Sequence, residues 1–258
     1  MKGEIIDING LKIYLEVMGN GEPFLILHGW GGSHYSWTKV QAILANKGYR
    51  VIVPDLPGFG DSQAPQEPQT VGDYSDFVLK LVEKMNLSSF FLLGHSFGGR
   101  VAIKFTRQNP QRVKKLILCD ASGIKMELDS KTKAIFALSR LGNAIFSKRI
   151  FSEFRKIAKS IFHFFLRHKD YVRAQGVMKE TLELVIAEDL LPQLSDIKNQ
   201  TLIIWGQKDN MVPLKAAYIF KEKIANSELK IFPKIKHNPH REIPDKLSEV
   251  IDQFLKQQ

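Results

Sequence analysis

Phe90-Phe91-Leu92-Leu93-Gly94-His95-Ser96-Phe97-Gly98-Gly99-Arg100-Val101-Ala102-Ile103-Lys104-Phe105 is the stretch on which the reading of this chain turns. The apolar run Phe90 to Leu93 drives into Gly-x-Ser-x-Gly and emerges as an amphipathic segment. Strand, sharp turn and helix in that order hold a serine exposed at the end of a strand, ready to act as a nucleophile. Gly94 and Gly98 flank a residue held at strained backbone angles, where a Cβ would collide across the turn. Gly99 lets the following helix pack close to its strand. The helix N-terminus beneath Ser96 favours negative charge developing there.

Outward from this stretch, strands and helices alternate. Glu4 to Ile8 and Leu11 to Val17, split by Asn9-Gly10, predict a hairpin. The continuous apolar runs at Phe24–Leu27, Val51–Val53, Phe90–Leu93, Leu116–Leu118 and Leu202–Trp205 suit strands buried on both faces, and Leu229–Phe232 is read as the last strand. Helical patterning falls near Ser36–Asn46, Val71–Met85, Gly99–Asn109, Leu214–Ala225 and Ile243–Lys256. The expectation is an α/β fold with a mostly parallel eight-stranded sheet and helices on both faces.

The alternation breaks between Ser122 and Asp196, where helical patterning rich in Phe, Lys and Arg replaces the strands. This predicts a helical lid over 122–196, inserted between core parts 1–121 and 197–258. Within it, Ile145, Phe146, Ile150, Phe151, Phe154, Ile157, Ile161, Phe162 and Phe165 recur near helical spacing, with Lys and Arg in most gaps. The stripe is read as a lid helix facing the sheet domain, with weak association with an anionic membrane surface as the alternative.

Composition narrows the function classes. The 258 residues carry 37 Lys and Arg against 27 Asp and Glu, a formal charge of +10. No basic block or nucleic-acid motif accompanies that charge, so it is read as solubility and no nucleic-acid partner is expected. One cysteine, Cys119, rules out an internal disulfide and argues against a cysteine-based zinc site; in Lys115–Cys119 it reads as a small core hydrophobe. The N-terminus lacks a signal-peptide apolar region and no apolar run suits a bilayer, so a cytoplasmic location is expected.

Acyl transfer at a serine needs a base, a carboxylate to orient it, and two donors for the oxyanion. His237 and His240 lie on the loop after the last strand, and His237 is the choice for the base, with His240 its rival. Asp209 follows the Leu202–Trp205 strand and lies between nucleophile and histidine in the chain, an order known for serines on such elbows. Asp120, after the Leu116 strand, is the alternative acid, and capping of a turn before Val212-Pro213 is the alternative use of Asp209. The backbone N–H groups of Phe97 and of Trp30, in His28-Gly29-Trp30-Gly31-Gly32, are the candidate oxyanion donors.

Taken together, His28–Gly32, Pro54-Asp55-Leu56-Pro57-Gly58-Phe59-Gly60-Asp61-Ser62, Gly94–Gly99, Gly206–Asp209 and His237–Pro244 resemble the α/β-hydrolase superfamily, in its lidded serine-esterase-like branch. The resemblance spans the chain and puts the catalytic histidine at the first position of the last piece, favouring His237. Two departures stand out: Lys236 replaces the family's usual glycine, and Gln200-Thr201 stands where relatives commonly have proline. Ser96 argues against haloalkane dehalogenases and epoxide hydrolases, which use aspartate, and the proline iminopeptidase-like Gly-Gly-Pro-Gly run is absent. The resemblance implies a metal-free and cofactor-free carboxylic ester hydrolase acting on small to medium or aromatic acyl groups of a small-molecule ester. Lactonase, carbon–carbon bond hydrolase and perhydrolase share the same residues, and a ligand-sensing receptor on this scaffold is the reading from another class.

Overall fold

Asn9 and Gly10 take positive φ, 54° and 81°, and this reverses the chain between β1 (Lys2–Ile8) and β2 (Leu11–Met18) as the Asn-Gly pair predicts. The computed structural model describes residues 2–125 and 176–257. The apolar runs form β3 (Glu22–Leu27), β4 (Tyr49–Pro54), β5 (Phe90–His95), β6 (Val113–Cys119), β7 (Thr201–Gly206) and β8 (Ser227–Phe232). They join one eight-stranded sheet in the order β1-β2-β4-β3-β5-β6-β7-β8. Pairing is antiparallel for β1 with β2 and β2 with β4, and parallel from β4 through β8.

After β3 the chain moves to β4 on one side, then returns to place β5 on the other side of β3. The loops after β3 and β5 therefore leave in opposite directions across one crevice at the carboxyl edge, the place where open α/β sheets bind ligands. The Gly-rich loop and the Ser96 turn are the two loops concerned.

Both faces of the sheet are covered. Helices α1 (Thr38–Asn46) and α7 (Pro244–Leu255) supply Val40, Leu44, Leu247, Ile251 and Phe254 to a cluster with Phe24, Ile26, Val51, Val53, Phe91, Leu93, Ile117 and Ile204. The alternate residues Leu25, Ile52, Phe90, Leu92, Leu116 and Ile203 are equally buried. Helix α3 (Phe97–Gln108) lies on that side, with Phe105 against Phe90 at 5.8 Å between ring centroids. This burial explains the apolar runs within β3 to β7, whereas β8 at the sheet's edge alternates between exposed and partly buried residues. Helix α2 (Val71–Lys84) starts at a capping box: Asp73 N donates to Thr70 Oγ1 at 3.2 Å, and Thr70 N donates to Asp73 Oδ2 at 2.7 Å.

Two helix starts differ from the sequence reading. Helix α3 begins at Phe97 instead of Gly99, because Ser96 itself is the non-helical N-cap. The first helix begins at Thr38, after a short 3-10 turn over His34–Ser36. The last helix, α7, matches the expected Ile243–Lys256 to within one residue at each end, and a separate short helix, α6 (Pro239–Glu242), precedes it; each is started by a proline.

The chain divides into two compact units, Met1–Ile124 with Ala174–Gln258, and Lys125–Arg173. The end of the expected insertion, helix α4 (Val177–Ala187) and the 3-10 turn Leu191–Asp196, falls in the first. There Arg100 Nη1 donates to the carbonyls of Val185 and Glu188 at 2.9 and 2.8 Å. Helix α5 (Leu214–Lys223) follows β7. The Phe-rich basic stripe from Ile145 to Phe165 lies outside the described residues. Among the described residues no helix is long and apolar enough to cross a membrane.

Candidate active site

Ser96 has φ 50° and ψ −112°, a conformation that costs roughly 1–3 kcal/mol for a residue with a side chain. The surroundings hold it there. Its N–H donates to the Cys119 carbonyl at 3.2 Å, and its own carbonyl accepts from Gly99 N, Ser122 N and Ser122 Oγ, each at 3.0 Å. The turn also needs glycines: a Cβ at Gly94 would lie 2.4 Å from the Gly98 oxygen, and one at Gly98 would lie 2.1 Å from the Leu27 oxygen. Gly99 meets Ala121 beyond β6, where a Cβ would lie 2.5 Å from the alanine methyl.

The loop after β3 closes on this turn. A Cβ at Gly29 would lie 3.2 Å from Ser96 Cβ and 2.9 Å from His95 Nδ1. His28 locks the loop to the next one: its Nδ1–H donates to the Gly29 carbonyl at 2.8 Å, and its Nε2 accepts from Leu56 N at 3.0 Å. These two bonds define its tautomer. Asp55 adds a second lock, accepting from His34 N at 2.6 Å and Asp61 N at 2.8 Å, with His34 Nδ1 3.0 Å from both of its carboxylate oxygens. Sequence reasoning left His28, His34 and Asp55 without these roles; the signal was the position of His28 and Asp55 inside the quoted motifs and of His34 just after the first of them.

Among the described residues, neither Trp30 N–H nor Phe97 N–H makes a hydrogen bond. Phe97 is the first residue of α3, so its N–H is one of the helix's unpaired donors. The Trp30 ring packs edge-on against Phe59 and Phe97 at 4.8 and 5.3 Å. Tyr74 braces the far side of Phe97 at 4.9 Å and donates from its hydroxyl to the Pro57 carbonyl at 2.9 Å. These contacts hold both candidate donors on an aromatic base.

The loops after β7 and β8 bring the acid and base together. A Cβ at Gly206 would lie 1.9 Å from the Lys236 oxygen, so the two backbones touch there. Asp209 uses both oxygens. Its Oδ1 accepts from Met211 N and Val212 N at 2.7 and 3.0 Å, and its Oδ2 accepts from His237 Nδ1 at 2.7 Å. The turn-capping and histidine-orienting uses therefore coexist. His237 is buried, and its Nε2 has no hydrogen-bond partner among the described residues, Ser96 Oγ included. Such bonds are often long until substrate is bound.

His240 and Asp120 stand elsewhere. His240 stacks on Trp37 at 4.3 Å with an interplanar angle of 10°, and burial holds its imidazole down at about 3. It makes no hydrogen bond to either aspartate among the described residues. Asp120 accepts from Gly206 N at 2.8 Å and lies behind Asp209. His95, buried with a pKa pushed well below the usual histidine value by burial, donates from Nε2 to the His237 carbonyl at 2.8 Å. Lys236 takes no positive φ, so glycine is not required there; it is exposed, and its N–H donates to Glu242 at 3.1 Å. Cys119 is fully buried, and burial pushes its thiol well up.

Two side-chain groups have the donor types of a metal site with all ligand atoms within 4.8 Å: His34, Asp55 and Asp61, and Asp120, Asp209 and His237. In both, the histidine nitrogen is already joined to a carboxylate of the group.

The alpha/beta hydrolase fold family matches residues 22–169 and 134–242. The AB hydrolase superfamily protein YisY of Bacillus subtilis is 30% identical over 95% of this chain and 95% of its own. The 2-hydroxy-6-oxononadienedioate/2-hydroxy-6-oxononatrienedioate hydrolase of Escherichia coli is 30% identical over 95% of this chain and 91% of its own. Among solved structures, an esterase from Exiguobacterium antarcticum superimposes with a TM-score of 0.78 at 26% identity, covering 99% of this chain and all of its own. The chain belongs to the alpha/beta hydrolase fold family, and its solved neighbours include esterases and a meta-cleavage product hydrolase.

Proposed function

We propose that this protein is a serine hydrolase that cleaves carboxylic esters of small to medium or aromatic acyl groups. The observation that carries the reading is the buried Asp209–His237 pair, 2.7 Å apart, with His237 Nε2 unpartnered on the sheet edge that carries the strained Ser96. His237 takes the Ser96 proton as Oγ attacks the ester carbonyl, and the Trp30 and Phe97 amides stabilise the oxyanion. The ester C–O bond then breaks, and the leaving alcohol takes the proton from His237. Water attacks the acyl-enzyme, gives a proton to His237, and the acid leaves as the proton returns to Ser96. This sequence needs no metal or organic cofactor. The same reading takes the protein to act in the cytoplasm on a small molecule, with no nucleic-acid partner.

The likeness to the Exiguobacterium esterase supports ester cleavage. A second reading, cleavage of a carbon–carbon bond in a vinylogous diketone, is favoured by the Escherichia coli relative, and lactone cleavage would use the same residues. The test is turnover of p-nitrophenyl esters of graded chain length beside lactones and ring-cleavage products, with Ser96→Ala as the control. Ester hydrolysis that Ser96→Ala abolishes is expected. Full ester turnover in Ser96→Ala would overturn the mechanism, and selective turnover of a diketone would move the assignment to the second reading.

A further inference from the structure

Asp120 is fully buried at the end of β6, at a φ of 42° that aspartate tolerates better than most side chains. Its N–H donates to the Ile204 carbonyl at 2.9 Å, and its Oδ1 accepts from Gly206 N at 2.8 Å. A carboxyl oxygen of Asp120, one of Asp209 and a ring nitrogen of His237 all lie within 4.8 Å of one another. Two carboxyl groups so close and so buried do not both ionise, and a proton held by one is within reach of the other.

The donors around the pair decide where that proton sits. Asp209 receives three, from Met211 N, Val212 N and His237 Nδ1. Asp120 receives one strong donor, Gly206 N, and the weak Cys119 thiol at 3.8 Å. We propose that Asp120 is a positioning residue: its carboxyl group donates its proton to the Asp209 carboxylate and so holds the oxygen that faces His237. The proposal rests on the reading of Asp209 as the acid that orients His237. Burial, followed by the Asp209 charge, pushes the Asp120 carboxyl well above the usual range, in agreement with the donor count. The titratable groups facing Asp120 are Cys119 from β6, Asp209 from the loop after β7 and His237 from the loop after β8; His95 lies beyond His237.

The substitution Asp120→Asn retains a side-chain donor that does not titrate and an oxygen for Gly206 N–H. Asp120→Gly removes the donor while accepting the positive φ. The readout is the pH dependence of the rate at which a fluorophosphonate probe modifies Ser96, which does not require the natural substrate. Asp120→Asn should leave the acid limb in place and keep the rate within about threefold of wild type. Asp120→Gly leaves Asp209 more basic, so its limb should move up by about half a pH unit or more and its rate should fall at least about tenfold. If Asp120 is instead ionised, Asp120→Asn removes a negative charge beside His237 and the limb moves down, which overturns the proposal. That outcome is readable even where Asp120→Gly fails to fold. An unshifted limb in a folded Asp120→Gly protein overturns it as well, because it leaves Asp120 a packing role only. Retention of the full rate in Asp209→Asn overturns the assignment of Asp209 as the acid and the proposal with it. Loss of rate in Asp209→Asn, with a downward shift in Asp120→Asn, overturns only the positioning role. Zinc added to wild type should not change the rate by more than about twofold; a larger, saturable change assigns the three side chains to a metal and overturns the shared proton.

Discussion

At the residue scale, Asp209 carries two loads through its two oxygens, one capping its own turn and one accepting from His237. Asp209→Asn keeps the shape but presents an amide that either donates toward His237 or gives up the turn bonds. The imidazole then loses the partner that fixes its tautomer and compensates its charge. The expected fall in kcat on a p-nitrophenyl ester is about 10³–10⁴-fold with little change in KM, as found when the acid of such a triad is neutralised. Steady-state kinetics checks it, and a fall below about tenfold would remove Asp209 from the mechanism. His237 and Asp209 were legible in the sequence because each follows a strand end in the required order. The choice against His240 needed more. Only the fold shows that two residues separated by Asn238 and Pro239 point apart, one to Asp209 and the other onto Trp37.

At the element scale, the turn between β5 and α3 works because two backbones approach where side chains would stand. A Cβ at Gly98 would lie 2.1 Å from the Leu27 carbonyl, which belongs to β3 and cannot swing aside as a flexible side chain would. Gly98→Ala should therefore destabilise the protein by at least about 2 kcal/mol in urea denaturation and displace the loop carrying Trp30, lowering activity further. Gly10→Ala is the matched comparison: φ is 81° there, but no atom beyond its chain neighbours lies within 4 Å of the added Cβ. Its cost should be confined to about 1–2 kcal/mol of backbone strain, with activity intact. Equal losses in the two variants would show that backbone conformation, not close approach, dominates at Gly98. The need for glycine at the turn was readable from the motif. The obstructing atom was not, because Leu27 is far from Gly98 in the chain and adjacent only through the β3–β5 pairing.

At the scale of the whole molecule, three buried histidines tie stability to pH. Burial lowers the pKa of His28, His95 and His240 below 6.5, to about 3 for His240. The folded state therefore binds fewer protons than the unfolded chain between that value and 6.5. Stability is full above the unfolded value and is lost as pH falls through the window, by up to about 1.4 kcal/mol per pH unit for each histidine. Urea midpoints at pH 7.5 and pH 5 should show a marked drop. In His240→Gln the drop should shrink, even though loss of the Trp37 stack lowers stability at both values. An unchanged drop in that variant would assign the acid sensitivity to other groups.

The strand runs, the Asn-Gly hairpin and the strand–turn–helix motif were determined by the sequence itself, because hydrophobic period and turn chemistry act over a few neighbouring residues. The identities of Ser96, Asp209, His237, Trp30 and Phe97 were likewise readable as candidates, since each sits at a strand end or at a helix start. Tertiary structure alone decided which side chains meet. It set Asp120 behind Asp209, joined His95 to the His237 backbone and tied His28 and Asp55 into the loops around Trp30. Those contacts link residues far apart in the chain through the crossed order of a parallel sheet, and no local pattern encodes that order.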